Sequence, residues 1–199
     1  MIDAAAIDAA VAAVRRGELV VLPTDTVYGI AARPDDARAT AAIFEAKGRP
    51  RDLTLPVLVA TEGEARRAAV FDGRATRLAA AIWPGPITLV LPRNERSRGW
   101  DLGGDGATIG VRVPNDPVAL DLLGRTGPLA TTSANRSGAP PARDGDALRA
   151  SFGDRVAVYL IADAPLGRSA SSVVDLTGPE PVILRRGDVD PAVIADLAG

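Results

Sequence analysis

The side chains able to do chemistry in this chain of 199 residues are few in kind. It has no histidine and no cysteine. That removes imidazole acid–base catalysis, a Ser-His-Asp triad, thiol nucleophiles, disulfides and Cys/His zinc sites. Reactive work falls to Lys, Arg, Tyr, Ser, Thr, Asp, Glu, backbone groups or a bound metal. Lys47, Arg49 and Arg51 lie within five residues, broken by Gly48 and Pro50. Such a cluster reads either as a solvated basic loop or as a polyanion site. In the second case Gly lets backbone approach closely and Pro stiffens the loop. Neither G-x-x-x-x-G-K-[ST] nor G-x-G-x-x-G occurs, so a phosphate site here is built mainly from Lys and Arg side chains.

Polar groups also collect where apolar runs end. Thr24, Asp25, Thr26 and Tyr28 follow Leu19–Leu22, and Thr131-Thr132-Ser133-Ala134-Asn135-Arg136-Ser137-Gly138 follows Pro128. Each segment reads as a side-chain-stabilised turn or as hydroxyls and amides facing a pocket mouth. Arg112 is set in the apolar run TIGVRV, where it must snorkel to water or meet an anion, whether a ligand carboxylate or a structural ion-pair partner. Ser171 and Arg185 sit at strand edges, where binding and plain surface roles are both open.

The positioning elements follow from periodicity and punctuation. Runs Leu19–Leu22 and Leu55–Val59 have strand length and composition, with an Ala-rich helix over Asp36–Ala46 between them that stops at Gly48. Asp3 caps a helix to about Val14, and Thr61 with Glu64 forms a capping box for a helix toward Val70. Another helix covers Arg74–Ile82 and stops at the rigid Trp83-Pro84-Gly85-Pro86 loop. Thr88–Leu91 and Thr108–Val113 are strands. The polar, glycine-rich Arg93–Gly106 segment between them reads as a long loop and a candidate lid. Asp116 caps Pro117–Leu123. The last third gives a helix over Asp144–Phe152, strands at Val156–Ala162, Val173–Leu176 and Val182–Leu184, and a terminal helix from about Asp190. The segment Gly167–Ser172 leads into the second of these strands. In an open α/β sheet, ligands sit at the carboxyl ends of strands, where these polar clusters fall.

Composition, 47% hydrophobic and 24% charged, suits one globular domain over 1–199. A net charge of -2 argues against a basic sheath for nucleic acid. No apolar run reaches the roughly 18 residues of a membrane span, and the N-terminus lacks the order of a signal peptide, so a cytoplasmic protein with no membrane contact is expected.

The pattern P-T-[DE]-T-x-Y-G at Pro23–Gly29, followed by K-G-R-P at Lys47–Pro50, resembles the YrdC-type threonylcarbamoyl-AMP synthase family. W-P-G-P-x-T at Trp83–Thr88, V-R-V-P at Val111–Pro114, S-A-N-x-S-G at Ser133–Gly138, and S-x-V-V-D-x-T…I-L-R-x-G over Ser171–Gly187 recur in family order. The resemblance is to the short form, a single YrdC-like domain. It implies an α/β fold, a twisted mixed β-sheet with flanking helices around a concave basic cavity. It implies a nucleotidyl transfer in which L-threonine, bicarbonate and ATP, with Mg2+ on the ATP, give threonylcarbamoyl-adenylate and pyrophosphate. The product is then handed to a separate tRNA threonylcarbamoyltransferase, with direct tRNA binding left open.

By the same resemblance Lys47 and Arg49 embrace the phosphates and are the catalytic pair. Thr108, Ser133, Asn135 and Arg185 complete the ATP side, while Thr26, Arg112, Thr131 and Ser171 surround threonine, with Arg112 on its carboxylate. Three departures from the family pattern fall near these positions: Leu53-Thr54, Leu58 and Thr131-Thr132. They leave every charged contact in place. The rival readings are an RNA-binding module, a YciO-like paralogue, and a carbamoyl-transfer domain of the hydrogenase-maturation type.

Overall fold

The computed structural model describes residues 2–163, 166 and 169–199. Within the Gly167–Ser172 segment, Gly167 and Arg168 lie outside the described residues. Eight α-helices are described: α1 (Ala4–Arg15), α2 (Ala37–Lys47), α3 (Glu62–Ala68), α4 (Gly73–Ile82), α5 (Glu95–Arg98), α6 (Pro117–Thr126), α7 (Gly145–Phe152) and α8 (Pro191–Ala198). Each starts where a short polar side chain can bind the free amides of a first turn. Asp3, Asp36, Thr61, Asp72, Asn94, Asp116, Asp144 and Asp190 all accept such a bond.

The strands are β1 (Val20–Leu22), β2 (Gly29–Ala32), β3 (Val57–Leu58), β4 (Ile87–Pro92), β5 (Thr108–Arg112), β6 (Leu129–Ser133), β7 (Val158–Tyr159), β8 (Ser172–Asp175) and β9 (Val182–Arg185). They form one mixed sheet in the order β7-β1-β2-β6-β3-β5-β4-β8-β9. Side chains alternate between faces along a strand, so the pairing register sorts them into two layers. One face carries Val21, Ile30, Val57, Ala130, Val111, Ile109, Leu89, Ile87 and Val174, all buried with α2, α4 and α8 in one apolar core.

The opposite face is divided. Val20, Leu22, Ala31, Leu58 and Leu129 are covered by Ile7, Val11 and Val14 of α1 and by Ala119, Leu122 and Leu123 of α6. Beyond Leu58 no helix among the described residues covers that face. There Arg112, Gly110, Thr108, Thr88, Val90, Val173 and Asp175 stand over a cavity instead.

Two sequence expectations change, and one strand lies where the sequence assigned no element. Gly29–Ala32 is a central strand, although GIAA contains a single β-branched residue. Its first residue is glycine where the neighbouring strand crowds it: a Cβ on Gly29 would come within 2.7 Å of Thr131 Cγ2 on β6. The expected strand Val156–Ala162 shortens to Val158–Tyr159, although Ala157 and Leu160 still donate to Leu19 and Val21 alongside β1. The segment Arg93–Gly106 is no loose loop. It contains α5, and the buried Arg93 donates to the carbonyls of Thr108, Ser97 and Trp100, tying the segment from inside.

Candidate active site

The cavity has a volume of about 450 Å3. Three arginines, Arg49, Arg112 and Arg185, and two aspartates, Asp52 and Asp175, contribute to its wall with hydroxyl, glycine and apolar groups. Its floor is the sheet face described above. Gly110 keeps that floor low, because a Cβ there would meet Pro56 Cβ and Thr88 Cγ2 at 3.2 Å.

Arg112 ends β5 with its side chain only 6% exposed. Nε donates to Gly85 O at 3.0 Å, Nη1 to Thr26 Oγ1 at 3.0 Å, and Nη2 to Asp25 Oδ1 at 2.6 Å. The Trp83–Pro86 loop supplies the first partner, and its Trp83–Pro84 peptide is cis. The polar turn after β1 supplies the other two. Burial pushes the guanidinium pKa down, and the Asp25 carboxylate opposes that shift. A guanidinium has five N–H groups, so three bonds leave two for a ligand. The ion-pair and ligand readings of Arg112 are therefore compatible.

Arg49 leaves α2 through Gly48, whose φ of 61° lets the helix end in a left-handed cap. Its side chain is held by the backbone, with Nε on Leu53 O at 3.3 Å and Nη2 on Thr54 O at 3.2 Å. The Leu53-Thr54 departure therefore leaves that hold intact, since only carbonyls take part. Arg185 reaches across β8 to Ser171, with Nε on its carbonyl at 2.8 Å and Nη2 on its hydroxyl at 3.0 Å. Burial lowers the pKa of both arginines, and the Arg49 charge lowers that of Arg185 further. Among the described residues, neither Arg49 nor Arg185 has a carboxylate within salt-bridge distance.

The third member of the basic cluster points elsewhere. Arg51 lies over the Phe44 ring and pairs with Asp101 at 2.5 Å on the exposed surface. Lys47 is buried behind the wall. Its ammonium donates to Ser133 O and, at 2.6 Å, to Asn135 O, while its own carbonyl accepts from Ser137 N. The lysine thus staples α2 to the turn after β6. Burial, aided by Arg49, brings its pKa down to about 8. Asn135 is turned into the same corner, donating to Arg136 O and Ala139 O, with Oδ1 buried and unpartnered.

The structure therefore gathers Arg49, Thr108, Ser133 and Arg185 with Thr26, Arg112, Thr131 and Ser171 around one cavity. Lys47 and Asn135 stand behind the wall on the turn that presents Ser133. Among the described residues no group of three or more His, Cys, Asp or Glu side chains is placed to hold a metal ion. A further lining residue, Thr88, is absent from the sequence assignment. Its one signal in the sequence is its place at the end of the W-P-G-P-x-T motif, since a threonine within a strand is otherwise explained by β propensity.

A family model described as telomere recombination, of the Sua5/YciO/YrdC proteins, matches residues 12–187. The chain belongs to the Sua5/YciO/YrdC family. Within it, a Mycobacterium tuberculosis protein provisionally named a threonylcarbamoyl-AMP synthase is 45% identical over 192 residues, 96% of this chain and 88% of that one. A Chromohalobacter salexigens protein named threonylcarbamoyl-AMP synthase is 37% identical over 176 residues, 86% of this chain and 92% of that one. The crystal structure of Pyrococcus abyssi Sua5 complexed with L-threonine superposes with a TM-score of 0.87 at 34% identity. That likeness covers 97% of this chain and 57% of the Pyrococcus chain, so the match is to a little over half of that protein. The α/β fold with a twisted mixed sheet is that of the family.

Proposed function

We propose that the chain is an L-threonylcarbamoyladenylate synthase, the activity for which its Chromohalobacter relative is named. The observation that carries this reading is the charge arrangement of the cavity. Arg49 and Arg185 repel one another and, among the described residues, neither has a carboxylate within salt-bridge distance, an arrangement suited to a polyphosphate, while Arg112 nearby keeps two N–H groups for a carboxylate.

In the reaction, the threonine ammonium and bicarbonate give an N-carboxylate, releasing water and one proton. A carboxylate oxygen then attacks the α-phosphorus of ATP, and pyrophosphate leaves in line. Arg112 holds the amino-acid carboxylate, with Thr26, Thr131 and Ser171 around the substrate. Arg49 and Arg185 stabilise the charge that spreads over the phosphoryl oxygens. Thr108 and Ser133 face the nucleotide. Lys47 and Asn135 fix the Ser133 turn, and the Lys47 charge adds to the positive field from behind the wall. Mg2+ enters on the triphosphate of ATP, as part of that substrate. The product is an activated carbamoyl donor, suited to a separate transferase that modifies tRNA adenosine. A cytoplasmic site fits that role, and no helix among the described residues is long and apolar enough to cross a membrane.

The test is mass spectrometry of the purified protein incubated with ATP, Mg2+, bicarbonate and L-threonine, omitting each in turn. A threonylcarbamoyl-adenylate peak that needs threonine, bicarbonate and ATP is the expected result. ATP binding without that product would move the protein to a paralogue acting on another carbamoyl acceptor. RNA affinity with a steep salt slope and no need for threonine would mark an RNA-binding module instead.

A further inference from the structure

Thr88 projects from β4 into the cavity and is only 4% exposed. Its Oγ1 lies 3.0 Å from Ser171 Oγ. The same Ser171 oxygen accepts from Arg185 Nη2 at 3.0 Å, and the Ser171 carbonyl accepts from Arg185 Nε at 2.8 Å. Gly187 approaches the Ser171 backbone so closely that a Cβ there would fall 2.3 Å from Ala170 O, which locks this corner. The hydroxyl pair is therefore fixed in place and faces the cavity with Val90 and Val173 beside it.

The hydrogen inventory of this pair is restrictive. A guanidinium only donates, so Arg185 permanently occupies one lone pair of Ser171. When Thr88 donates to the other, Ser171 has a free O–H and no free lone pair, while Thr88 has two free lone pairs and no hydrogen. The pair then offers one donor and one acceptor, 3.0 Å apart. A group that accepts from Ser171 and donates to Thr88 closes a three-membered ring of hydroxyls. An alcohol does both, a carbonyl oxygen only accepts, and a methyl group does neither.

From this geometry we propose that Thr88 is a specificity-determining residue. Together with Ser171 it recognises the side-chain hydroxyl of the amino-acid substrate, with Arg185 setting the polarity of the pair. The inference rests on threonine as the amino acid. An apolar analogue leaves each hydroxyl with the partner it has in the empty cavity, and the Ser171 O–H is the one donor that such a ligand fails to meet. Discrimination is then that of one neutral hydrogen bond, on the order of 10-fold rather than the far larger factors of sites left unpaired.

The experiment compares wild type, Thr88→Val and Thr88→Ser, with calorimetric affinities for L-threonine and its isostere L-valine. Thr88→Val removes the hydroxyl without changing shape. Threonine affinity is expected to fall about 10-fold while valine affinity holds or rises, and Thr88→Ser is expected to restore threonine binding. Equal weakening of both ligands, or of neither, would overturn the assignment and leave Thr88 a packing residue. If Thr88→Val does not fold, wild type alone decides: it must bind L-serine more tightly than L-alanine, and equal affinity overturns the proposal. Failure of wild type to bind threonine sinks both this inference and the proposed function. Threonine binding without adenylate formation sinks only the proposed function, and the Thr88 comparison still stands.

Discussion

Lys47 offers a test in which protonation is read as stability. Its pKa is brought from 10.5 down to about 8 by burial, so between those two values the unfolded chain binds more protons than the folded one. Stability then rises with pH across that window, because ∂ΔG/∂pH follows the excess of protons bound by the unfolded state. Below pH 8 the full penalty for burying the ammonium is present, and above about pH 10.5 it is gone. Integrating with those two values gives a gain of about 2 kcal/mol between pH 7 and pH 9.5, an upper figure because the unfolded chain is itself partly compact. The perturbation is Lys47→Met, which keeps an unbranched side chain of similar length and removes the titrating group. Urea unfolding of both proteins at pH 7.0, 8.5 and 9.5 gives the difference curve, in which all other titrations cancel to first order. Wild type is expected to gain on the variant by about 2 kcal/mol over that range. A flat difference would mean that the two carbonyl bonds hold the ammonium at its ordinary pKa, and the burial argument would fail. At pH 7 the variant also leaves Ser133 O and Asn135 O without their donor. Looser presentation of Ser133 follows, read as a higher KM for ATP.

Four other substitutions separate the parts of the site. Arg49→Ala and Arg185→Ala each remove a cation that has no salt-bridge partner among the described residues, and kcat/KM for ATP is expected to fall by on the order of 10²-fold with unfolding midpoints close to wild type; unchanged kinetics would take that arginine off the phosphates. Asp25→Ala leaves the buried Arg112 guanidinium without its counter-charge, at a cost of about 3–5 kcal/mol. Denaturant unfolding checks it, and a loss under about 1 kcal/mol would show that water reaches the charge. Gly110→Val raises the cavity floor against Pro56 and Thr88. It is expected to abolish threonine and ATP binding in calorimetry while the circular dichroism of the sheet survives, and tight binding in a folded variant would place the substrates off this floor.

How much of this was legible in the sequence depends on how local each signal is. Caps such as Asp3, Thr61 and Asp116, and the helix stop at Gly48, are contained within a few residues and were readable. The Thr61 box differs only in detail, since Glu64 reaches back to Ala60 N. Strand β2 was hidden because GIAA has little β propensity, and its Gly29 answers to the closeness of Thr131, a residue about a hundred positions away. Arg93 looked like any loop arginine, because its three carbonyl partners appear only once the segment has folded over it. The pairing of Arg112 with Asp25 was half legible. An arginine in an apolar run demands a partner, but the identity of a group 87 residues distant is set by the sheet order. The Lys47–Arg49–Arg51 cluster showed the clearest limit. Composition marks three equal cations, yet one lines the cavity, one staples a turn behind it and one faces water. Helix phase and the left-handed Gly48 decide among them.

The uncovered half of the sheet has a consequence for how the molecule breathes. Elsewhere that layer is closed by α1 and α6, but over β5, β4 and β8 no helix among the described residues lies on it and the cavity stands there instead. Bound substrates therefore act as a third layer, and their departure thins the protein to two layers along those strands. Amide hydrogen exchange in β4, β5 and β8 is expected to slow on loading with ATP and threonine, while α1 and α6 keep the rates of the empty protein. The walls come from strands across the sheet, so the cavity cannot deform one strand at a time.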